Sequence, residues 1–175
     1  MHESQKMSTT TMKIRQAQPL DLESIRRIYN QGIEDRIATL ENETKDMAYM
    51  QQWYDSHRDR FVILVAEEQG KVVGWASLNP YSLRCAYAGV ADLSIYIDRD
   101  HRGKGVGSAL LTELEEQAKA NQFYKIVLFT FPSNQGGQGL YRKLGYREVG
   151  VFQNQGVLDG QFIDVMIMEK LFMGS

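Results

Sequence analysis

A single cysteine, Cys85, stands in a chain of 175 residues, so no internal disulfide can form, and with three scattered histidines it cannot supply the spacing of a structural zinc site. No metal is expected, and a reducing setting, the cytoplasm, is. Charge of one sign is also scarce. The 20 Lys and Arg face 22 Asp and Glu, a net of −2, so no overall basic field gathers nucleic acid or acidic lipid, and any basic site must be local. No apolar run approaches the roughly 18 residues of a membrane-spanning helix. Repeats, low-complexity tracts and linkers are missing too, which with the length points to one domain. What is plentiful is apolar side chains, 43% of the chain against 24% charged, enough for a core and far from the composition of disorder.

Residues 1–12 are polar, rich in Ser and Thr, and lack the apolar middle of a secretory signal, so they are expected to form a disordered leader to a domain at 13–172 with a short tail at 173–175. Lys13–Gln18 has the look of a short strand. Pro19-Leu20-Asp21 then stops it and caps a helix that carries Leu22, Ile25, Ile28 and Tyr29. A second helix follows Asp46, with Met47, Met50 and Trp53 or Tyr54 on one face. The connection at 38–44 has no period and is expected to move.

Phe61–Ala66 and Val72–Leu78 form a hairpin about Glu68-Gln69-Gly70-Lys71. Val90–Ile97 is a further strand, followed by a glycine-rich loop at Arg102–Gly107 and a helix bearing Leu110, Leu111, Leu114 and Ala118. Tyr124–Thr130 is a buried strand and Gly139–Leu144 a short helix stopped at Gly145. Tyr146–Phe152 and Phe162–Met168 are the last two strands. The order gives an α/β fold, a single domain with a mixed sheet and helices on both faces.

The loop is the chemical landmark. Glycines let backbone N–H groups approach an anion, the helix start adds roughly half a positive charge, and Arg102 and Lys104 add full ones. A pyrophosphate suits the segment Arg102, Gly103, Lys104, Gly105, Val106, Gly107, Ser108, as does the plainer reading of a turn with solvated cations. It is not a P-loop, which needs Gly-x-x-x-x-Gly-Lys-Ser/Thr. A dinucleotide fingerprint needs a third glycine where Ser108 stands and an acidic residue where Thr130 and Phe131 stand, so NAD is the weaker option.

Arg102-Gly103-Lys104-Gly105-Val106-Gly107 resembles the Arg/Gln-x-x-Gly-x-Gly/Ala acetyl-CoA signature of the GNAT acetyltransferases, here preceded by the strand Ser94-Ile95-Tyr96-Ile97. The block from Asn134 through Leu140-Tyr141-Arg142-Lys143-Leu144-Gly145-Tyr146 resembles their Asn-x-x-Ser-x-x-Leu-Tyr-x-Lys-x-Gly-Phe. Ile28-Tyr29-Asn30, Ala38-Thr39-Leu40-Glu41, the stretch Pro80–Tyr87 and Ala91–Ile97 are similar to the phosphinothricin and arsinothricin N-acetyltransferases. Three positions depart from that subfamily. Asp92 replaces a Glu, Gly137 a Ser, and Ser82 an Arg that leaves Arg84 as the sole cation of its segment.

The resemblance implies acetyl-CoA as donor, a small amine as acceptor and a homodimer that uses the final strands. Its pantetheine arm would pair with an opened strand at Ser94, Ile95, Tyr96 and Ile97, with Asn134 on the other side and a free N–H near Leu93–Ile95 facing the reacting oxygen. An ammonium must lose a proton before it attacks a thioester. Asp92, in an apolar strand where burial lifts a carboxyl's pKa, is the candidate base. Tyr141 is the candidate acid for the departing thiolate. Plainer roles exist for both: a carboxylate tied to its neighbours, and a core tyrosine. Arg84 would grip the acceptor's anionic group, Tyr87 would wall it, and Tyr29 and Asn30 would reach from the first helix. His57 and His101 are expected to be exposed polar residues and Cys85 a packing residue. Two other readings stay open: a non-catalytic acyl-CoA sensor, and an acetyltransferase for a protein N-terminus or polyamine.

Overall fold

In the computed structural model, which describes residues 12–36 and 39–172, seven strands make one sheet. They are β1 (Met12–Gln16), β2 (Ile63–Glu68), β3 (Lys71–Pro80), β4 (Val90–Ile97), β5 (Lys125–Thr130), β6 (Arg147–Leu158) and β7 (Gln161–Leu171). Four α-helices accompany them: α1 (Leu22–Glu34), α2 (Met47–Ser56), α3 (Val106–Ala120) and α4 (Gln135–Lys143). The expected mixed α/β sheet is found, in the order β1-β2-β3-β4-β5-β7-β6. Every neighbouring pair is antiparallel except β4 and β5. A parallel pair needs a long crossover, and α3 supplies it.

β2 reads as an unbroken apolar run because both its faces are covered. Leu64 and Ala66 pack with Leu110, Leu111 and Leu114 of α3. Ile63 and Val65 pack with Leu22, Ile25 and Ile28 of α1 and with Met50 of α2. Asp46 caps α2 by accepting a hydrogen bond from the Tyr49 N–H at 2.8 Å. Asp21 does not cap α1 through its side chain. Its carboxylate instead accepts from the Gln18 N–H and pairs with Arg15 at 2.8 Å.

Several boundaries differ from the sequence reading. Met12 belongs to β1, opposite Glu68, so the strand starts inside the expected leader, whose residues 1–11 lie outside the described residues, as do 173–175. α4 begins at Gln135, four positions before Gly139. Three glycines cost that helix about 1 kcal/mol each relative to alanine, which hides it from propensity. The Asn134 side chain offsets part of this by accepting from the Gly137 N–H at 3.0 Å. The last two strands are longer than expected and form one hairpin about Asp159-Gly160, with φ of 52° and 78°.

The described part of the connection between α1 and α2 is held at two points. Both ends of the Asn30 amide hold the Lys45 backbone, Nδ2 donating at 3.0 Å and Oδ1 accepting at 2.8 Å. Leu40 sits against Gly156 of β6, so closely that a Cβ there would stand 2.8 Å from its side chain. Ile37 and Ala38 lie outside the described residues.

Candidate active site

β4 stays paired with β3 from Ala91 to Ile97, whereas its pairing with β5 covers only Val90, Ala91 and Asp92. Beyond Asp92 the two parallel strands part, while β5 remains paired with β7 as far as Thr130. The side of β4 that faces β5 therefore carries backbone groups without a strand partner from Leu93 onward. A cavity of about 250 Å³ occupies the wedge, lined among others by Tyr29, Asp92, Ser94, Thr130 and Tyr141. A second, of about 460 Å³, continues from it and shares Ile95, Tyr96 and Tyr141 as common wall.

The second cavity reaches the glycine-rich loop. Ile97, Arg102, Gly103, Gly105, Gly107 and Ser108 line it, with Asn134 on the opposite side. Gly103 and Gly105 have φ of 75° and 90°, and no atom lies within 4 Å of a Cβ built on either. They are glycine for the left-handed backbone that turns successive N–H groups, and not because anything crowds them. Gly105 precedes α3 without any side-chain cap, so the first N–H groups of that helix are left for a ligand. An extended arm ending in a diphosphate fits this pair of features: unpartnered strand backbone, then an uncapped helix start.

Arg102 stands at the loop with Nη1 2.9 Å from the Asp35 carboxylate, which also holds Arg99 at 2.8 Å. These two arginines, the nearer first, hold the Asp35 carboxyl below its usual range. Behind the loop, burial works to raise the pKa of Asp98, but hydrogen bonds from His101, Arg27 and Gln31 outweigh it and hold the carboxyl well below the ordinary range. The two networks fix the loop to α1. His101 is thus a partner of Asp98 at 2.6 Å and not a free surface residue. Lys104 is exposed outside the cavity lining, and the Val106 side chain is in the core.

Asp92 lines the smaller cavity. Burial lifts its carboxyl to about 6, against hydrogen bonds from Asn79 and from the Leu93 N–H that favour the charged form. Asn79 Nδ2 donates to Asp92 Oδ2 at 3.1 Å and to Ser94 Oγ at 3.0 Å. Burial pushes the Tyr141 phenol up as well, so it keeps its proton. Tyr96 is pushed up to about 12, chiefly by burial, and stacks on Trp75 at 5.0 Å between ring centroids.

Asn134 is engaged within α4 and with Thr130 Oγ1, to which its Nδ2 donates at 3.1 Å. Gly137 allows that posture, because a Cβ there would meet the Asn134 Nδ2 at 2.5 Å. Asn30, Arg84 and Tyr87 do not line either cavity. Asn30 is spent on Lys45. Arg84 and Tyr87 are exposed in the connection from Pro80 to Val90, at the Asp92 end of the β3–β4 hairpin, and Cys85 is exposed beside them.

The Acetyltransferase (GNAT) family model matches residues 23–146. The chain belongs to the GNAT family. It is an N-acetyltransferase that uses acetyl-CoA, and its relatives narrow the comparison. The L-methionine sulfoximine/L-methionine sulfone acetyltransferase of Pseudomonas aeruginosa is 33% identical over 158 residues, 89% of this chain and 92% of the relative. The phosphinothricin N-acetyltransferase of Streptomyces viridochromogenes is 29% identical, over 92% of this chain and 88% of its own. The crystal structure of a GNAT phosphinothricin acetyltransferase from Sinorhizobium meliloti in complex with acetyl-CoA superposes with a TM-score of 0.86 at 29% identity, covering 92% of this chain and 88% of that one.

Sequence reasoning missed Asn79 and Asp35 in this acetyltransferase and read His57 only as an exposed polar residue. Asn79 faces Asp92 only through the β3–β4 register, and Asp35 meets Arg102 across 67 positions. Neither relation leaves a local pattern to read.

Proposed function

We propose that this acetyltransferase transfers acetyl to the α-amine of a small amino acid or toxic analogue, of the phosphinothricin, arsinothricin or methionine sulfoximine type. The observation that carries the reading is the 250 Å³ cavity around Asp92, sized for an amino acid and lined by aromatic, aliphatic and hydroxyl side chains. The relatives named for phosphinothricin and methionine sulfoximine support the substrate class. No Lys or Arg lines that cavity among the described residues. Arg84 would therefore grip the acceptor's acidic group from the Pro80–Val90 connection, with Tyr87 beside it and Tyr29 reaching from α1. Replacing Arg84 by Ala should raise the acceptor KM and leave the donor KM unchanged.

The donor supplies an acetyl thioester whose carbonyl carbon is the electrophile. Asp92 takes one proton from the acceptor's ammonium group, directly or through a water, and so frees the lone pair for attack. An unpartnered N–H on β4 after Asp92 stabilises negative charge on the carbonyl oxygen. As the C–N bond forms and the C–S bond breaks, nitrogen gives up its second proton and sulfur needs one. Tyr141, buried and protonated, passes a hydrogen to the sulfur and is refilled from the nitrogen side, so the products are an amide, a thiol and protonated Asp92. The loop at Arg102–Ser108 holds the diphosphate and Asn134 steadies the arm.

The acetyltransferase also acts as a homodimer in the cytoplasm under this proposal. Val149, Val151, Phe152, Val157 and Phe162 are exposed apolar side chains of the β6–β7 hairpin that a second copy would cover. Sedimentation at micromolar concentration should give twice the monomer mass.

Thiol release from acetyl-CoA with a panel of phosphinothricin, arsinothricin, methionine sulfoximine, common amino acids, a polyamine and a peptide N-terminus tests the substrate. Release that depends on one of the three analogues is expected. Tight acyl-CoA binding without amine-dependent release would make the protein a sensor instead.

A further inference from the structure

Asn79 is placed opposite Asp92 by the β3–β4 register, and all four of its amide hydrogen-bonding positions are used. Its Nδ2 donates to Asp92 Oδ2 and Ser94 Oγ. Its Oδ1 accepts from Ser77 Oγ at 2.9 Å and lies 2.9 Å from His57 Nε2. His57 ends α2, with its ring against Trp53 at 4.9 Å and its Nδ1 2.8 Å from the Trp53 carbonyl. A chain of polar contacts thus runs from the end of α2 through β3 to the carboxylate on β4.

We propose that Asn79, held in one orientation by His57, is a positioning residue that keeps Asp92 an ionised carboxylate aimed into the cavity. This rests on the reading of Asp92 as base.

An amide has two orientations related by a half-turn, and its hydrogen-bond partners decide between them. Turned over, Asn79 would present its oxygen to the Asp92 carboxylate, acceptor against acceptor. The Ser77 hydroxyl adapts to either orientation, since it donates and accepts. With its hydrogen on Nε2, His57 demands an acceptor and finds Asn79 Oδ1, and the Asp92 carboxylate, which only accepts, favours the same orientation.

The consequence concerns ionisation. Burial already lifts Asp92 to about 6, and the Asn79 and Leu93 donors oppose that lift. Phenols facing it are Tyr96 on its own strand and Tyr141 from α4, with Tyr29 from α1 in the same cavity. Burial pushes all three up, so they are uncharged at neutral pH. Glu41, between α1 and α2, adds negative charge near Tyr29 and Tyr96. His57 stands behind Asn79. None of the phenols offsets a lost amide donor with positive charge.

The test is a carbon-13 NMR titration of the Asp92 carboxyl, assigned with Asp92→Asn, in the wild-type enzyme and in Asn79→Leu, His57→Phe and His57→Gln. Loss of one hydrogen bond to a charged group should move the titration upward by about one pH unit in Asn79→Leu. The acid limb of kcat/KM should move with it. His57→Phe keeps the ring against Trp53 but not the donor, and should shift both in the same direction. His57→Gln, which restores an N–H, should return them towards wild type.

An unmoved Asp92 titration in a folded Asn79→Leu protein overturns the inference. Should that variant fail to fold, His57→Phe decides alone, by the same criterion. A titration that moves while the acid limb stays put leaves Asn79 in command of the carboxyl and removes Asp92 as the base.

Discussion

Gly32 of α1 lies against the ring of Tyr96 on β4 so closely that a Cβ built on it would stand 2.6 Å from the aromatic carbons. The ring cannot retreat, since Trp75 stacks on it with centroids 5.0 Å apart. Tyr96 is wall to both cavities, so the packing of α1 on the sheet sets their common boundary.

Gly32→Ala should therefore displace Tyr96. Helix propensity returns about 1 kcal/mol, which offsets much of the overpacking cost in a melting curve. Activity is the sharper readout. A misplacement near 1 Å at the reacting groups costs on the order of 100-fold, and kcat/KM should fall by at least tenfold while Tm moves by a few degrees. Unchanged kinetics would mean that the wall is soft.

Arg102→Ala should raise the KM for acetyl-CoA by about tenfold or more, the worth of a charge-assisted hydrogen bond, with the acceptor KM unchanged. The arginine lines the second cavity and is paired at 2.9 Å with Asp35 at the end of α1. Steady-state kinetics with each substrate varied in turn distinguishes this from a general loss. Equal changes in both KM values would show that Arg102 only holds the loop to α1.

The sheet and its order of elements were legible in the sequence because periodicity reports burial. A continuous apolar run marked β2, covered on both faces, buried Ile126 to Leu128 marked β5, and Leu110, Leu111 and Leu114 marked α3. The glycine-rich loop was legible because Gly103 and Gly105 serve the backbone itself. What escaped depends on tertiary contact. α4 has glycines where a helix wants alanine and is started by the Asn134 cap. His57 looked like a surface residue, yet it meets Asn79 22 positions away, and Asn30 looked like a substrate contact but is spent on Lys45.

The raised pKa of Asp92 also has a sign for stability. Its folded carboxyl, near 6, binds a proton more tightly than the unfolded one, whose ordinary value is 3.8. The native state therefore loses stability as pH rises from about 4 to 6, and the ionised group is a standing cost above that. Asp92→Asn should be more stable than wild type at pH 7 by on the order of 3 kcal/mol, and equally stable near pH 3. Urea unfolding at the two pH values measures it. A variant less stable at pH 7 would contradict the burial account.

The account turns on Asp92 as the group that deprotonates the acceptor. Thiol release from acetyl-CoA at saturating methionine sulfoximine or phosphinothricin, compared between wild type and Asp92→Asn at pH 7.5, tests it most directly. The account predicts a loss on the order of 100- to 10,000-fold in kcat with acetyl-CoA affinity intact. An Asp92→Asn enzyme that turns over within a few-fold of wild type would contradict it.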